Sequence, residues 1–210
     1  MVKNMQPNRS KVLLVEGRND LYVVEHIRKQ KLHPVDFDIR EMKNLDGLLD
    51  TIAVAIKAPE SEVVGLVVDA NDSIDERWDA VIRKLKNIGI VAPNRPDEAG
   101  TIIEANEDFP KVGIWLMPDN KSSGELEDFV QQMIDSDDPV WPRSVSYIDG
   151  IPAEDRKFRK KKEMKAKVYA WLSTIEPPGL MGYAISSGNL HCDGHLCKSF
   201  VAWIEKLFEN

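Results

Sequence analysis

Lys11-Val12-Leu13-Leu14-Val15-Glu16-Gly17-Arg18-Asn19-Asp20 is the stretch on which the reading of this chain turns. Its short apolar run, with β-branched residues and a polar lead-in, predicts a buried strand. The run stops at Glu16-Gly17, and Leu21, Val24, Ile27 and Leu32 follow at helical spacing, with Asn19 or Asp20 as the expected N-cap. A carboxylate therefore stands at the C-terminal end of a buried strand, and a second opens the next helix. In open α/β sheets that edge is where ligands bind. The plainer reading makes Glu16 a solvated strand end and Asp20 only a cap.

Outward from this unit, strands and helices alternate. Val35 to Met42 alternates apolar and polar residues, as a half-exposed strand does, and Leu45 to Ile56 recurs at helical spacing up to Pro59. Glu62 to Asp69 (EVVGLVVD) is the most hydrophobic strand candidate, and it too ends on a carboxylate, followed by Ala70-Asn71-Asp72-Ser73. Ile74 to Leu85 predicts an amphipathic helix with Trp78, Val81, Ile82 and Leu85 on one face. Gly100 to Glu104 and Val112 to Met117 read as strands, the latter ending at Pro118-Asp119-Asn120, and Glu125 to Ile134 reads as a helix. This alternation predicts βαβ crossovers and a mainly parallel sheet flanked by helices, an α/β fold. From Asp135 the character changes. Pro139, Pro142 and Pro152 punctuate a turn-rich segment, and a basic helix runs on to about Ile175. Pro177-Pro178-Gly179 breaks that helix, and Phe200 to Phe208 closes the chain as a short amphipathic one. The expected division is an α/β core over residues 9–134 and a mainly helical extension over 135–210 packed on it as one structural unit.

At 210 residues, 42% hydrophobic and 30% charged, the chain can bury a core and is not composed like a disordered one. No apolar run approaches the roughly 20 residues needed to cross a bilayer. Met1 to Ser10 also lacks the apolar centre of a secretory signal, so a cytoplasmic protein with no membrane partner is expected. Two cysteines suit a reducing compartment rather than a disulfide framework. The net charge of −7 argues against a protein that coats nucleic acid non-specifically. That charge is unevenly spread. Arg156, Lys157, Arg159, Lys160, Lys161, Lys162, Lys165 and Lys167 give residues 156–167 a local charge of +7, which leaves −14 on the rest. Such polarity suits a phosphate-binding edge beside an acidic, metal-binding centre; a solvated helix face is the competing reading.

In a parallel sheet, Glu16, Asp69 and Asp119 all emerge at one edge. Gathered carboxylates repel and raise one another's pKa unless a cation neutralises them. Oxygen-only ligands select hard cations, and Mg²⁺ takes one or two carboxylates with water and phosphate oxygens completing its shell. That equipment serves phosphoryl chemistry.

At these residues the sequence resembles the Toprim superfamily. LLVEGRND is similar to its first motif, a glutamate and glycine followed by an aspartate, and VGLVVDAND is similar to its DxD motif. The ordered set, with Gly113 to Asn120, Gly124 to Asp128 and Lys165 to Leu180, most resembles the prokaryotic Toprim-like family described as DUF3226, related to nucleases of the overcoming-lysogenization-defect group. The resemblance implies that Glu16 is a metal ligand or general acid/base, that Asp20 belongs to the same motif, and that Asp69 is a Mg²⁺ (or Mn²⁺) ligand. The second DxD position is Asn71, a departure that offers a carbonyl oxygen without charge. Asp72 is its candidate substitute, and Glu127 matches a downstream acidic position of Toprim-like nucleases. A separate or fused ATPase is the partner that such nucleases imply.

Two further clusters carry less. His191-Cys192-Asp193-Gly194-His195-Leu196-Cys197 holds four zinc-type ligands, but four within seven residues would strain a tetrahedral shell. The five tryptophans mostly fall on apolar faces and read as core. With no P-loop, GxGxxG or GxSxG, the expected activity is Mg²⁺-dependent phosphodiester hydrolysis of nucleic acid, with Glu16 and Asp69 as the catalytic pair. The rival expectation, which Asn71 supports, is a non-catalytic binding or adaptor module of the same fold working with a separate ATPase.

Overall fold

The computed structural model describes residues 10–32 and 35–209. Of the lead-in examined for a secretory signal, residues 1–9 lie outside the described residues. Strands β1 (Lys11–Val15), β2 (Asp38–Glu41), β3 (Val63–Asp69), β4 (Thr101–Ile103) and β5 (Lys111–Met117) form one five-stranded sheet in the order β2-β1-β3-β5-β4. β1 pairs in parallel with β2 and β3, and β3 in parallel with β5. The strands that run into Glu16 and Asp69 are thus direct neighbours, with Val15 opposite Val67. Their unbroken apolar sequences follow from burial on both faces. β4 is the exception. It runs antiparallel on the edge, because residues 104–110 return it to β5 as a hairpin rather than through a crossover helix.

Alternate residues of each strand feed two cores. On one face Val12, Leu14, Leu66, Val68, Ile114 and Leu116 pack against α2 (Leu45–Ile56) and α3 (Ile74–Lys86). On the other, Leu13, Val15, Val67, Trp115 and Met117 pack against α1 (Arg18–Lys31), α4 (Leu126–Gln131), α6 (Glu163–Leu172), α7 (Met181–Ser186) and α8 (His195–Phe208). α8 comes close to the sheet because two glycines lie side by side beneath it. Gly65 pairs with Gly113, and a methyl group at either would run into Leu207.

The C-terminal half departs from its sequence reading in three places. α5 (Trp141–Asp149) occupies what reads as turns; Pro142 sits in its first turn, where a missing N–H leaves no helical bond unmade. The basic stretch is no single helix. Residues 160–162 form a 3₁₀ turn, and α6 starts only at Glu163, since a run of lysines in the first turn opposes the helix dipole. Cys192 and Cys197 are joined as a disulfide, Cα atoms 5.2 Å apart, against the expectation of free thiols. The turn before α8 brings the two sulfurs together, which also removes both from the zinc-type set. Among the described residues, no helix is long and apolar enough to cross a membrane.

Candidate metal centre

Glu16 follows the last residue of β1, and its Oε1 accepts a hydrogen bond from the backbone N–H of Asp69 at 2.9 Å. Asp69 ends β3, and its Oδ1 accepts from the backbone N–H of Leu126 at 3.0 Å. These two bonds tie β1, β3 and the start of α4 into one corner, and each carboxylate keeps a second oxygen. Asp20 belongs to the first turn of α1 and is buried. It is not the N-cap, which is Gly17; its carboxylate folds back to the backbone N–H groups of Gly17 and Asp20 itself. Glu127 is 2% exposed in the first turn of α4, and its Oε1 lies 2.6 Å from Lys165 Nζ. A cavity of about 340 Å³ opens between them, lined by Glu16, Asp20, Asp69, Glu127, Lys43 and Lys165 among others.

The electrostatics follow from crowding. Burial pushes Asp20 up to about 7, helped by the charges of Glu16 and Glu127 and opposed by its two backbone hydrogen bonds. Burial likewise raises Asp69 well above the usual carboxylate range, with Asp20, Glu16, Glu127 and Glu125 adding repulsion. Glu16 is raised by burial too, against the pull of the Asp69 N–H and the Arg77 guanidinium. Burial pulls Lys165 down, but its hydrogen bond and charge contact with Glu127 outweigh this and leave it raised.

The DxD departure has a structural explanation. Asn71 adopts a left-handed conformation at φ 52° and bridges to Gly124 through both backbone groups, at 2.7 and 2.9 Å. With the amide set as its neighbours require, Nδ2 donates to Glu125 Oε1 at 2.8 Å and the side-chain oxygen accepts from Arg77 Nη2 at 2.7 Å. An aspartate there could still accept from Arg77 but would face Glu125 as a like charge. Asp72 points elsewhere: it is exposed, pairs with Lys161 at 2.7 Å, and that contact lowers its pKa. Asp119, on the same sheet edge, accepts from Lys121 N, Ser122 N and Ser122 Oγ and lines a different cavity.

Much of the basic segment is folded onto acids. Lys162 pairs with Glu125, Lys165 with Glu127, Lys161 with Asp72, Lys167 with Asp149 and Glu163, and Arg156 with Glu163. Lys157, Arg159 and Lys160 are exposed and make no ion pair among the described residues. The structure therefore brings Glu16, Asp20, Asp69 and Glu127 together, sets Lys162 and Lys165 over them, and leaves Asp72 and Asn71 aside. Sequence reasoning missed Glu125, the buried N-cap of α4 within the capping box of Asp128, and Arg77. Arg77 carried a readable signal, since a cation near the start of a helix runs against its dipole.

The donors are all oxygen and suit a hard divalent cation. Lys165 stands against one of these carboxylates, Glu127, and Lys162 against the neighbouring Glu125. Among the described residues, no three His, Cys, Asp or Glu side chains are drawn together tightly enough to hold a metal ion. The donor chemistry fits such an ion; the packing shown keeps these carboxylates on protein partners.

No curated protein matches the chain. Among solved structures, the C-terminal region of the Burkholderia pseudomallei OLD protein is similar, with a TM-score of 0.50 at 9% identity, covering 94% of this chain and 97% of that one. The C-terminal region of the Xanthomonas campestris pv. campestris OLD protein aligns over 94% and 95% at 14% identity and a TM-score of 0.45. At such identity the first of these speaks to fold alone, and the fold it supports is the expected α/β one, a mainly parallel sheet flanked by helices with a helical C-terminal part. The profile of the family described as "Protein of unknown function (DUF3226)" matches residues 10–209, and the chain belongs to that family.

Proposed function

We propose that this chain is a metal-dependent phosphodiester hydrolase acting on nucleic acid. The observation that carries the reading is the carboxylate corner where β1, β3 and α4 meet, where Glu16, Asp20, Asp69 and Glu127 crowd around one cavity. Glu16 and Asp69 would hold a Mg²⁺ or Mn²⁺ ion through the oxygens left over from their backbone hydrogen bonds, with Asp20 and Glu127 supplying further negative charge. A bound ion of this kind activates water and stabilises charge on a transferring phosphoryl group. Glu16, its pKa raised by burial, is a stronger proton acceptor than an exposed glutamate would be. Lys162 and Lys165 neutralise Glu125 and Glu127; with a cation held at this corner, their ammonium groups would be free to meet phosphate oxygens. Lys157, Arg159 and Lys160 extend the basic path outward for sequence-independent contact with a backbone. The Toprim resemblance adds a separate ATPase as a partner.

A second reading, the non-catalytic adaptor, is favoured by Asn71, both ends of whose amide are engaged by Arg77 and Glu125. Incubating the chain with DNA or RNA in millimolar Mn²⁺ separates the two. The hydrolase reading expects cleavage that chelator abolishes and that Asp69→Asn loses. Nucleic-acid binding without cleavage would favour the adaptor.

A further inference from the structure

A second cavity, about 850 Å³, lies between the end of β5, α4 and the start of α8. α4 divides the two sites, giving Glu127 to the carboxylate corner and Asp128, Gln131 and Gln132 to this one. Trp115 lines it, is 0% exposed, and its indole N–H finds no acceptor among the described residues. The other buried tryptophans do better: Trp78 donates to Pro93 O, Trp171 to Asp138 Oδ1 and Trp203 to Thr101 O. An unmet buried donor is costly enough to call for an explanation. The cavity offers another set of open donors. α8 is 14 residues long, and its N-cap, Gly194, has no side chain to satisfy the first-turn N–H groups, which border the same space.

The walls carry more acid than base, which disfavours an anion as the ligand. Glu98, Asp119 and Asp128 all line them, against His195 and one lysine, Lys121, which is paired with Glu98. Gln132 donates to the Gln131 Oε1 at 2.9 Å, which leaves the Gln132 side-chain carbonyl to receive a donor, and Met164 and Leu196 add apolar surface. A matching ligand is neutral and planar, carries a ring carbonyl for the indole and helix N–H groups, and has N–H groups of its own for the amides. We propose that this cavity binds a nucleobase whose carbonyl accepts from Trp115. Met164, unbranched and adaptable, is the lining side chain best able to shift as the base seats. The volume lies within the usual range for small-ligand sites. The base can come from a free nucleoside or from a single strand, and neither source needs the metal centre.

Guanosine and a single-stranded hexanucleotide, each titrated into the whole chain without divalent metal, test this by calorimetry and by the indole N–H resonances of the ¹⁵N-labelled protein. Millimolar or tighter binding is expected, with the Trp115 signal shifted. Trp115→Phe should weaken binding about fivefold, the worth of one neutral hydrogen bond. Ser199→Trp, which fills the cavity from the α8 side, should abolish it. Binding of guanosine assigns the site to free ligand, and binding of the hexanucleotide alone assigns it to a base within a strand. No binding of either at millimolar concentration, or binding that both variants leave unchanged, overturns the proposal.

Discussion

Asp69 ends β3 and Asp119 lies just past the end of β5, its parallel neighbour, so both stand at the same edge of the sheet, yet their surroundings differ. Asp119 is satisfied locally, holding its own loop through Lys121 N, Ser122 N and Ser122 Oγ. Asp69 receives one backbone N–H, from Leu126, and otherwise faces Glu16, Asp20, Glu125 and Glu127, all of one sign. The first arrangement is a turn; the second holds more negative charge than its nearby hydrogen bonds absorb. Position at a strand end is common to both, so uncompensated charge is what marks a candidate site.

The largest expected effect comes from pH. Asp20 has a folded pKa of about 7, above its unfolded value of about 3.9, so the native state holds a proton that the unfolded chain has lost. That contribution is fully present below about pH 4 and disappears as pH rises through about 7. Metal-free protein should therefore lose stability over this window, about 4 kcal/mol from this group. Urea unfolding across the range checks it, and Asp20→Asn should make the profile shallower, leaving the same-signed contributions of Asp69 and Glu16. Asp119→Asn should not.

A smaller change is expected on Lys165→Met, which strips the partner from a Glu127 buried to 2%. The lysine is itself partly exposed, so the loss should be about 1–3 kcal/mol rather than that of a fully buried pair. If the ammonium stands in for a cation, millimolar Mn²⁺ should restore more stability to this variant than it adds to the wild type. Smaller still, Asp119→Ala should cost about 1–2 kcal/mol through its lost loop hydrogen bonds and leave any metal response unchanged. A metal response that changes with Asp119 would erase the contrast between the two strand ends.

How much of this was legible in the sequence depends on the range of the interactions involved. β1, β3 and β5 were readable because burial on both faces writes an unbroken apolar run into each. Glu16 and Asp69 could be brought to one edge because parallel strands end on the same side. What their side chains touch there was not readable. Asn71 reads as a weakened ligand, whereas its environment is set by Arg77, six residues on in α3, together with Glu125, the N-cap of α4 and far off in sequence. Lys161, Lys162 and Lys165 read as part of one helical face, because local charge density carries no information about acids 35 or more residues away. Glu125 and Glu127 are 37 and 38 residues from the lysines that pair with them. Pro142 reads as a breaker because its place in the first turn of α5 depends on where the helix starts. The Cys192–Cys197 bond was hidden by a compositional argument that ignored how closely one turn brings two neighbours.

The central claim is that the Asp69 corner, and not the Asp119 turn, takes a divalent cation. Mn²⁺ titrated into the wild type, Asp69→Asn and Asp119→Ala at pH 8, followed by melting temperature, tests it directly. At 100 times Kd, one bound ion should stabilise the wild type and Asp119→Ala by about 2.7 kcal/mol. Asp69→Asn should show no shift, while its metal-free form melts slightly higher for the loss of one repelling charge, the Asn oxygen still accepting from Leu126. A wild type that does not respond to millimolar Mn²⁺, or an Asp69→Asn variant that responds as fully as the wild type, would contradict the account.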